Sequence, residues 1–159
     1  MKLLEISSLI FLTNFIHNAW NKEYIYAWLM LLLTATSVLV HSKLFHEDKD
    51  ICSEYSLHNI LLLLDKILCY SIIIYGGNLF WKTIQVKEIS FIPIITFLTV
   101  VYLYLGGYFQ NNYCFDPDPF LAQLSHGVLH IVSSIGHHAI MYDYSKLQWM
   151  RQLLLGLLQ

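Results

Sequence analysis

The chain of 159 residues is 57% hydrophobic and 15% aromatic, with only 13% charged residues and a mean hydropathy of +0.54; soluble domains carry roughly 25% charged residues. A net charge of -2 without any basic cluster excludes nucleic acid as a partner. Cys52, Cys69 and Cys114 are widely spaced, odd in number and without a CxxC, so they build neither a disulfide framework nor a zinc knuckle. The composition predicts an integral membrane protein, an all-α helix bundle forming one transmembrane domain over residues 1–159.

A bilayer core of about 30 Å asks for roughly 20 mainly apolar residues per helix. The first candidate is 3–19, within "MKLLEISSLIFLTNFIHNAW". It has the lysine and apolar run of a signal peptide, but Glu5 interrupts its start and no small-residue cleavage site follows, so it reads as a retained first helix. Four stronger spans follow at 24–43, 57–75, 88–106 and 121–141, for about five transmembrane helices. Between them, "FHEDKDICSEYS", "GGNLFWKTIQVK" and "GGYFQNNYCFDPDP" carry the charge, glycine and proline of loops. Pro93 falls in the opening turns of the fourth helix, where its missing N–H costs little. The tail at 146–158 contains Arg151 and is too short to span, which suits an interfacial helix. Lys2, Lys43 and Lys49 fall on one side of such a bundle, and Lys22, Lys82, Lys87, Lys146 and Arg151 on the other. That bias favours an outside or lumenal N-terminus, in the endoplasmic reticulum, the Golgi or a bacterial inner membrane.

Ionisable residues inside a span cost about 2.5 to 3.5 kcal/mol each on insertion scales and mark functional sites. Asp65 follows four leucines in the third helix; its bland reading is pairing with a polar group of another helix, or protonation. Ser37 and His41 stand at i, i+4 near the end of the second helix, and His126 and His130 repeat that spacing near the start of the last, so each pair shares a face. Any one of these histidines alone would read as a hydrogen-bonded interior imidazole. Counted along their helices, however, His41, Asp65, His126 and His130 fall in one layer of the membrane. Three neutral imidazoles and a water form the open coordination of catalytic zinc, whose bound water has a pKa near 7. Asp65 then serves as general base, and Ser37 either orients the water or donates to an oxyanion. Hydrolysis inside a bilayer implies a lipid substrate.

On these residues the chain resembles the superfamily of membrane proteins that contains alkaline ceramidases, the progestin and adiponectin receptors and GPI-remodelling proteins. "SVLVH" supplies the Ser37 and His41 of that pattern, "LLLLDK" its Asp65 and "HGVLH" its His126 and His130, while "YCFDPDPFLAQLSHGVLHIVSS" looks most like the ceramidase branch. The resemblance spans 34–141 and implies a zinc-dependent amidase that splits ceramide-like lipids into a fatty acid and a sphingoid base. Three departures stand beside it. The family has seven helices against five here, so two are missing or supplied by a partner, a second copy included. The acidic, tryptophan- and cysteine-bearing opening segment that binds calcium in ceramidases has no counterpart, since Glu5 alone does not replace it. Leu129 stands where the family often has an aromatic residue.

Other chemistries compete for the same histidines. "HSKLFH" and "HGVLH" resemble the boxes of a di-iron lipid desaturase or hydroxylase, although the further boxes such enzymes need do not follow. His41 and His130 could face one another across a b-type haem. The non-enzymatic alternative is a lipid-sensing or scaffolding protein that keeps the metal site, as the receptor branch suggests. His46 and His58 read as loop or helix-end residues, His137 and His138 as buried or interfacial imidazoles, and Tyr102 and Tyr104 as packing aromatics.

Overall fold

A computed structural model describes residues 2–42, 57–85 and 90–157. Lys43 at the end of the second predicted helix, His46, Lys49, Cys52, Lys87 and the predicted start of the fourth helix at 88 lie outside the described residues. The rest is all-helical: α1 Lys2–Ser8, α2 Phe11–Trp20, α3 Tyr24–His41, α4 Leu57–Ile84 and α5 Ile92–Val101. A π-helical turn at Tyr102–Gly106 carries α5 into the short α6 Gly107–Gln110; a 3₁₀ turn at Tyr113–Phe115 then leads to α7 Pro119–Leu157. No strand occurs among the described residues. Three segments are long and apolar enough to cross a membrane: Tyr24–His41, Leu57–Ile84 and Ile92–Gln110.

The expected first helix is two pieces, each too short to span alone. Ser7 and Ser8 both turn their hydroxyls back onto the Leu4 carbonyl, at 3.0 and 2.8 Å, and such back-bonding bends helices. At the bend the amides of Leu9, Ile10, Leu12 and Thr13 each reach the carbonyl three residues back rather than four, the tighter 3₁₀ pattern. Lys22 adopts a left-handed φ of 63° between α2 and α3, and α2 then packs along α3.

Helix α4 does not stop at the Gly76–Gly77 pair, as a loop there would require, but continues to Ile84. Gly76 is instead a site of close approach. A Cβ on it would lie 2.6 Å from the Tyr26 hydroxyl and 3.4 Å from Tyr26 Cζ, with His137 Nδ1 at 3.7 Å. The last helix likewise continues past 141 in place of a separate interfacial helix at 146–158. Nothing between Met141 and Leu147 breaks it, and both ends of that stretch are buried. At 1.5 Å per residue its 39 residues extend about 58 Å, well beyond a bilayer core. Its start is capped by Asp118, whose Oδ1 accepts the Phe120 amide at 2.8 Å, with Pro119 at the first helical position, where its missing N–H is harmless. Pro93 occupies the corresponding opening turn of α5.

Polar side chains share the interior with an apolar core of Phe11, Tyr26, Met30, Leu33, Ile72 and Leu79, while many large apolar side chains face outward. Ile16 and Ile74 are 62% and 73% exposed, whereas Asn14 and Asn18 are 0% and 1% exposed, in the company of Ser8, Thr34, Ser37, His130 and Ser134. In water this distribution would leave a very large apolar surface uncovered. Against hydrocarbon it is the favourable one, because polar groups must find partners inside the protein. Helix α1 packs on both α3 and α7, and α5 packs on α7. The α5–α7 contact depends on Gly136, where a Cβ would fall 2.4 Å from Thr96 Oγ1 and 3.2 Å from Thr96 Cβ. Gly136→Ala should therefore destabilise by about 1–3 kcal/mol through overpacking, read as a lowered midpoint in denaturant unfolding in detergent. Adding Thr96→Ala, which removes the clashing oxygen, should recover most of the loss.

Candidate metal centre

His41 ends α3, and Ser37 lies one turn before it on the same face. On α7, His126 and His130 are also one turn apart, about 10 and 16 Å along the helix from Pro119. Because α1 wedges against both helices, the end of α3 meets the beginning of α7. There, one nitrogen from each of His41, His126 and His130 lies within 4.8 Å of the others. Ring centroids are 5.1 Å apart for His41 and His126, 4.8 Å for His126 and His130, and 5.9 Å for His41 and His130. A tetrahedral ion with metal–nitrogen bonds of about 2.1 Å spaces its ligand nitrogens by about 3.4 Å. Closing the set therefore takes side-chain adjustments of about an ångström, within what rotamers of neighbouring turns provide. Three imidazoles without a thiolate or carboxylate suit zinc, copper, nickel or iron rather than calcium or magnesium. This is the one group of three or more such ligands among the described residues.

His130 is the most fixed of the three. It is buried, Phe11 meets its ring edge-on at 5.4 Å, and Ser7 Oγ lies 2.9 Å from its Nδ1. Gly127 faces Ser7 with no side chain between them; a Cβ there would already touch Ser7 Oγ at 3.7 Å. The next residue of α1, Ser8, reaches the other helix: its Oγ is 2.9 Å from Ser37 Oγ. Ser8 spends its single proton on the Leu4 carbonyl, so Ser37 must be the donor to Ser8. Ser37 Oγ is thus left with lone pairs to present, which suits orienting a water rather than donating to an oxyanion.

Asp65 meets α3 one residue away, not at the histidines. Its Oδ1 accepts from Thr36 Oγ1 at 2.9 Å, and the carboxylate is not among the atoms clustered within 4.8 Å. Adjacent helical residues point about 100° apart, so Asp65 and the imidazoles reach α3 from flanking faces. The structure brings three of the five sequence-derived residues together, links Ser37 to them through α1, and leaves Asp65 outside that group, bonded to Thr36.

A second polar layer lies further along α7. The Tyr26 hydroxyl is 2.5 Å from His137 Nδ1. His17 Nδ1 is 2.8 Å from His138 Nδ1, and Thr13 Oγ1 is 2.9 Å from His138 Nε2. Asn14 donates to the Ser134 carbonyl at 3.0 Å and accepts from Ser134 Oγ at 2.6 Å. Asn18, one turn on, is buried with no hydrogen-bond partner for its amide among the described residues. His137 and His138 are accordingly tied to α2 and α3 and do not join the metal cluster. Sequence reasoning passed over Ser7, Ser8, Thr13, Asn14 and Tyr26. The signal was present in part: Ser7, Asn14 and Asn18 recur at i, i+7 and i+11, one face of a helix otherwise built of Leu, Ile and Phe.

No family model, no curated protein and no solved structure matches this chain.

A metal that binds the folded state stabilises it by mass action, about 2.7 kcal/mol at a hundredfold excess over its dissociation constant. Zinc should raise the thermal midpoint of the metal-stripped protein in detergent. His126→Ala should abolish that rise, whereas His138→Ala, in the second layer, should leave it in place.

Proposed function

We propose that this chain is a multi-pass membrane hydrolase that holds zinc on His41, His126 and His130 and cleaves the amide bond of a ceramide-like lipid or a related ester. The observation that carries this reading is the convergence of three imidazoles from α3 and α7, whose ring centroids lie within 6 Å of one another in an otherwise apolar bundle. In this reading α1 with α2, and the first half of α7, complete five crossings around the three apolar helices. The pattern of Ser37, His41, Asp65, His126 and His130 is that of the ceramidase superfamily, and its resemblance supplies the substrate class.

Bound zinc would supply Lewis acidity, lowering the pKa of a water to near 7 and polarising the acyl carbonyl. The chain's own residues do the rest. Three neutral imidazoles hold the ion without cancelling its charge. Ser37, whose O–H donates to Ser8, accepts a hydrogen bond from the attacking water and aims it at the carbonyl carbon. Asp65, once its carboxylate turns from Thr36 toward the ion, would take the proton of that water and return it to the amide nitrogen as the carbon–nitrogen bond breaks, which releases a fatty acid and an amine. The lipid-facing surfaces of α4 and α5, where Leu63, Ile67, Ile74, Ile95 and Leu98 are exposed, keep the acyl chain within hydrocarbon.

A second reading is favoured by one specific observation: Asp65 is bonded to Thr36 and stands outside the histidine group. If it stays there, the chain is a lipid-sensing or scaffolding protein with a structural metal. Incubation of the detergent-purified protein with labelled ceramide, with and without chelator, separates the two. Hydrolysis should be lost with chelator and return with zinc. His130→Ala should lose both zinc and turnover, while Asp65→Asn should keep zinc and lose turnover by about 10²- to 10⁴-fold. Zinc retained by the wild type without turnover of any acyl-amide lipid would establish the second reading instead.

A further inference from the structure

The Ser7 hydroxyl has two partners and one proton. It lies 3.0 Å from the Leu4 carbonyl oxygen, which can only accept, and 2.9 Å from His130 Nδ1, which can do either. Both contacts are hydrogen bonds only if Ser7 donates to Leu4 and accepts from an Nδ1–H. A neutral imidazole carries one ring proton, so the other nitrogen, Nε2, then bears the lone pair. We propose that Ser7 is a positioning residue, which holds His130 as its Nδ1–H tautomer so that Nε2 is the ligating atom. The role of that atom rests on the metal reading above; the tautomer itself does not.

The surroundings reinforce the assignment. Phe11 meets the imidazole edge-on at 5.4 Å and His130 is buried, so the ring has little freedom. A half-turn of the ring would place a carbon against Ser7 and leave its half-buried hydroxyl oxygen without a donor. Ser7 lies against Gly127 of α7, one turn from His130 and next to His126. The serine is also a neutral partner, so in a low-dielectric interior it orients the ring without adding a charge to be compensated. Histidine ligands of metals generally donate their distal N–H to such an acceptor, and losing it weakens metal binding by about 10- to 100-fold. The neighbouring Ser8 makes the corresponding contact to Ser37 on α3. A single bend in α1 thus addresses both helices that carry the histidines, and it does so through the very serines whose back-bonding to Leu4 produces the bend.

The test uses the full-length protein in detergent with ¹⁵N-labelled histidine. Long-range ¹H–¹⁵N correlation spectra of the metal-free protein, with the His130 signals assigned from His130→Gln, report the tautomer directly. Wild type should show Nδ1 protonated and Nε2 bare. Ser7→Ala should shift His130 toward the Nε2–H form and weaken zinc binding about 10- to 100-fold. Ser7→Thr, which keeps the hydroxyl and its reach to the preceding turn, should restore both. An Nε2–H tautomer in the wild type overturns the inference with no variant needed, as does a Ser7→Ala protein with the wild-type tautomer. If wild type binds no zinc but shows the Ser7-dependent tautomer, the metal reading fails and the positioning role stands.

Discussion

The contact on which the arrangement depends is the hydrogen-bonded seam between α7 and the bent N-terminal helices. Ser7, Thr13, Asn14 and His17 each reach a polar group of α7. A hydroxyl or amide enclosed between helices without a partner is costly. The seam removes that penalty along about two turns of α7, from His130 to His138, and draws α1 between α3 and α7. The cluster of His41, His126 and His130 follows from this. Two helices distant in sequence are held at the separation at which their imidazoles meet, and each of the two is itself addressed by a serine of α1.

Small residues complete the assembly. Gly76, Gly127 and Gly136 sit where α4, α1 and α5 approach their neighbours, and two of the three have no room for a methyl group. Without a hydrophobic driving force between helices in lipid, close backbone approach and interhelical hydrogen bonds take over that part. Tyr26 shows how the two combine. Its hydroxyl rests over Gly76 while bonding to His137, so α3, α4 and α7 are joined at one point. Glu23 performs a similar service nearby, accepting from Tyr75 at 2.8 Å and from Gln148 at 3.3 Å.

How much of this could be read from residues alone differs by element. The histidine cluster was legible because i, i+4 spacing fixes a helix face and counting residues fixes a depth; His41, His126 and His130 needed nothing further. Asp65 was placed on the correct helix, but its bond to Thr36 is a choice of side-chain direction that spacing does not determine. The bend after Ser8 was missed because serine back-bonding competes with the helix only once Leu4 is known to be its acceptor. Gly76–Gly77 read as a stop because glycine at a turn and glycine under a packed tyrosine look alike without the tyrosine. Bilayer thickness suggested a break near residue 141, yet a helix with no breaker need not end where the hydrocarbon does. The inward polar face of α2 was visible as a stripe at helical spacing, although its partners on α7 were not.

On the reading proposed above, three imidazoles of this chain surround one zinc ion. X-ray absorption at the zinc edge, on detergent-purified protein reconstituted with one equivalent, measures the ligand shell directly. Ligation by His41, His126 and His130 predicts a shell of nitrogen or oxygen atoms at about 2.0–2.1 Å, with the outer-shell scattering of three imidazole rings. Sulfur scatterers near 2.3 Å, or a shell without imidazole, would contradict it.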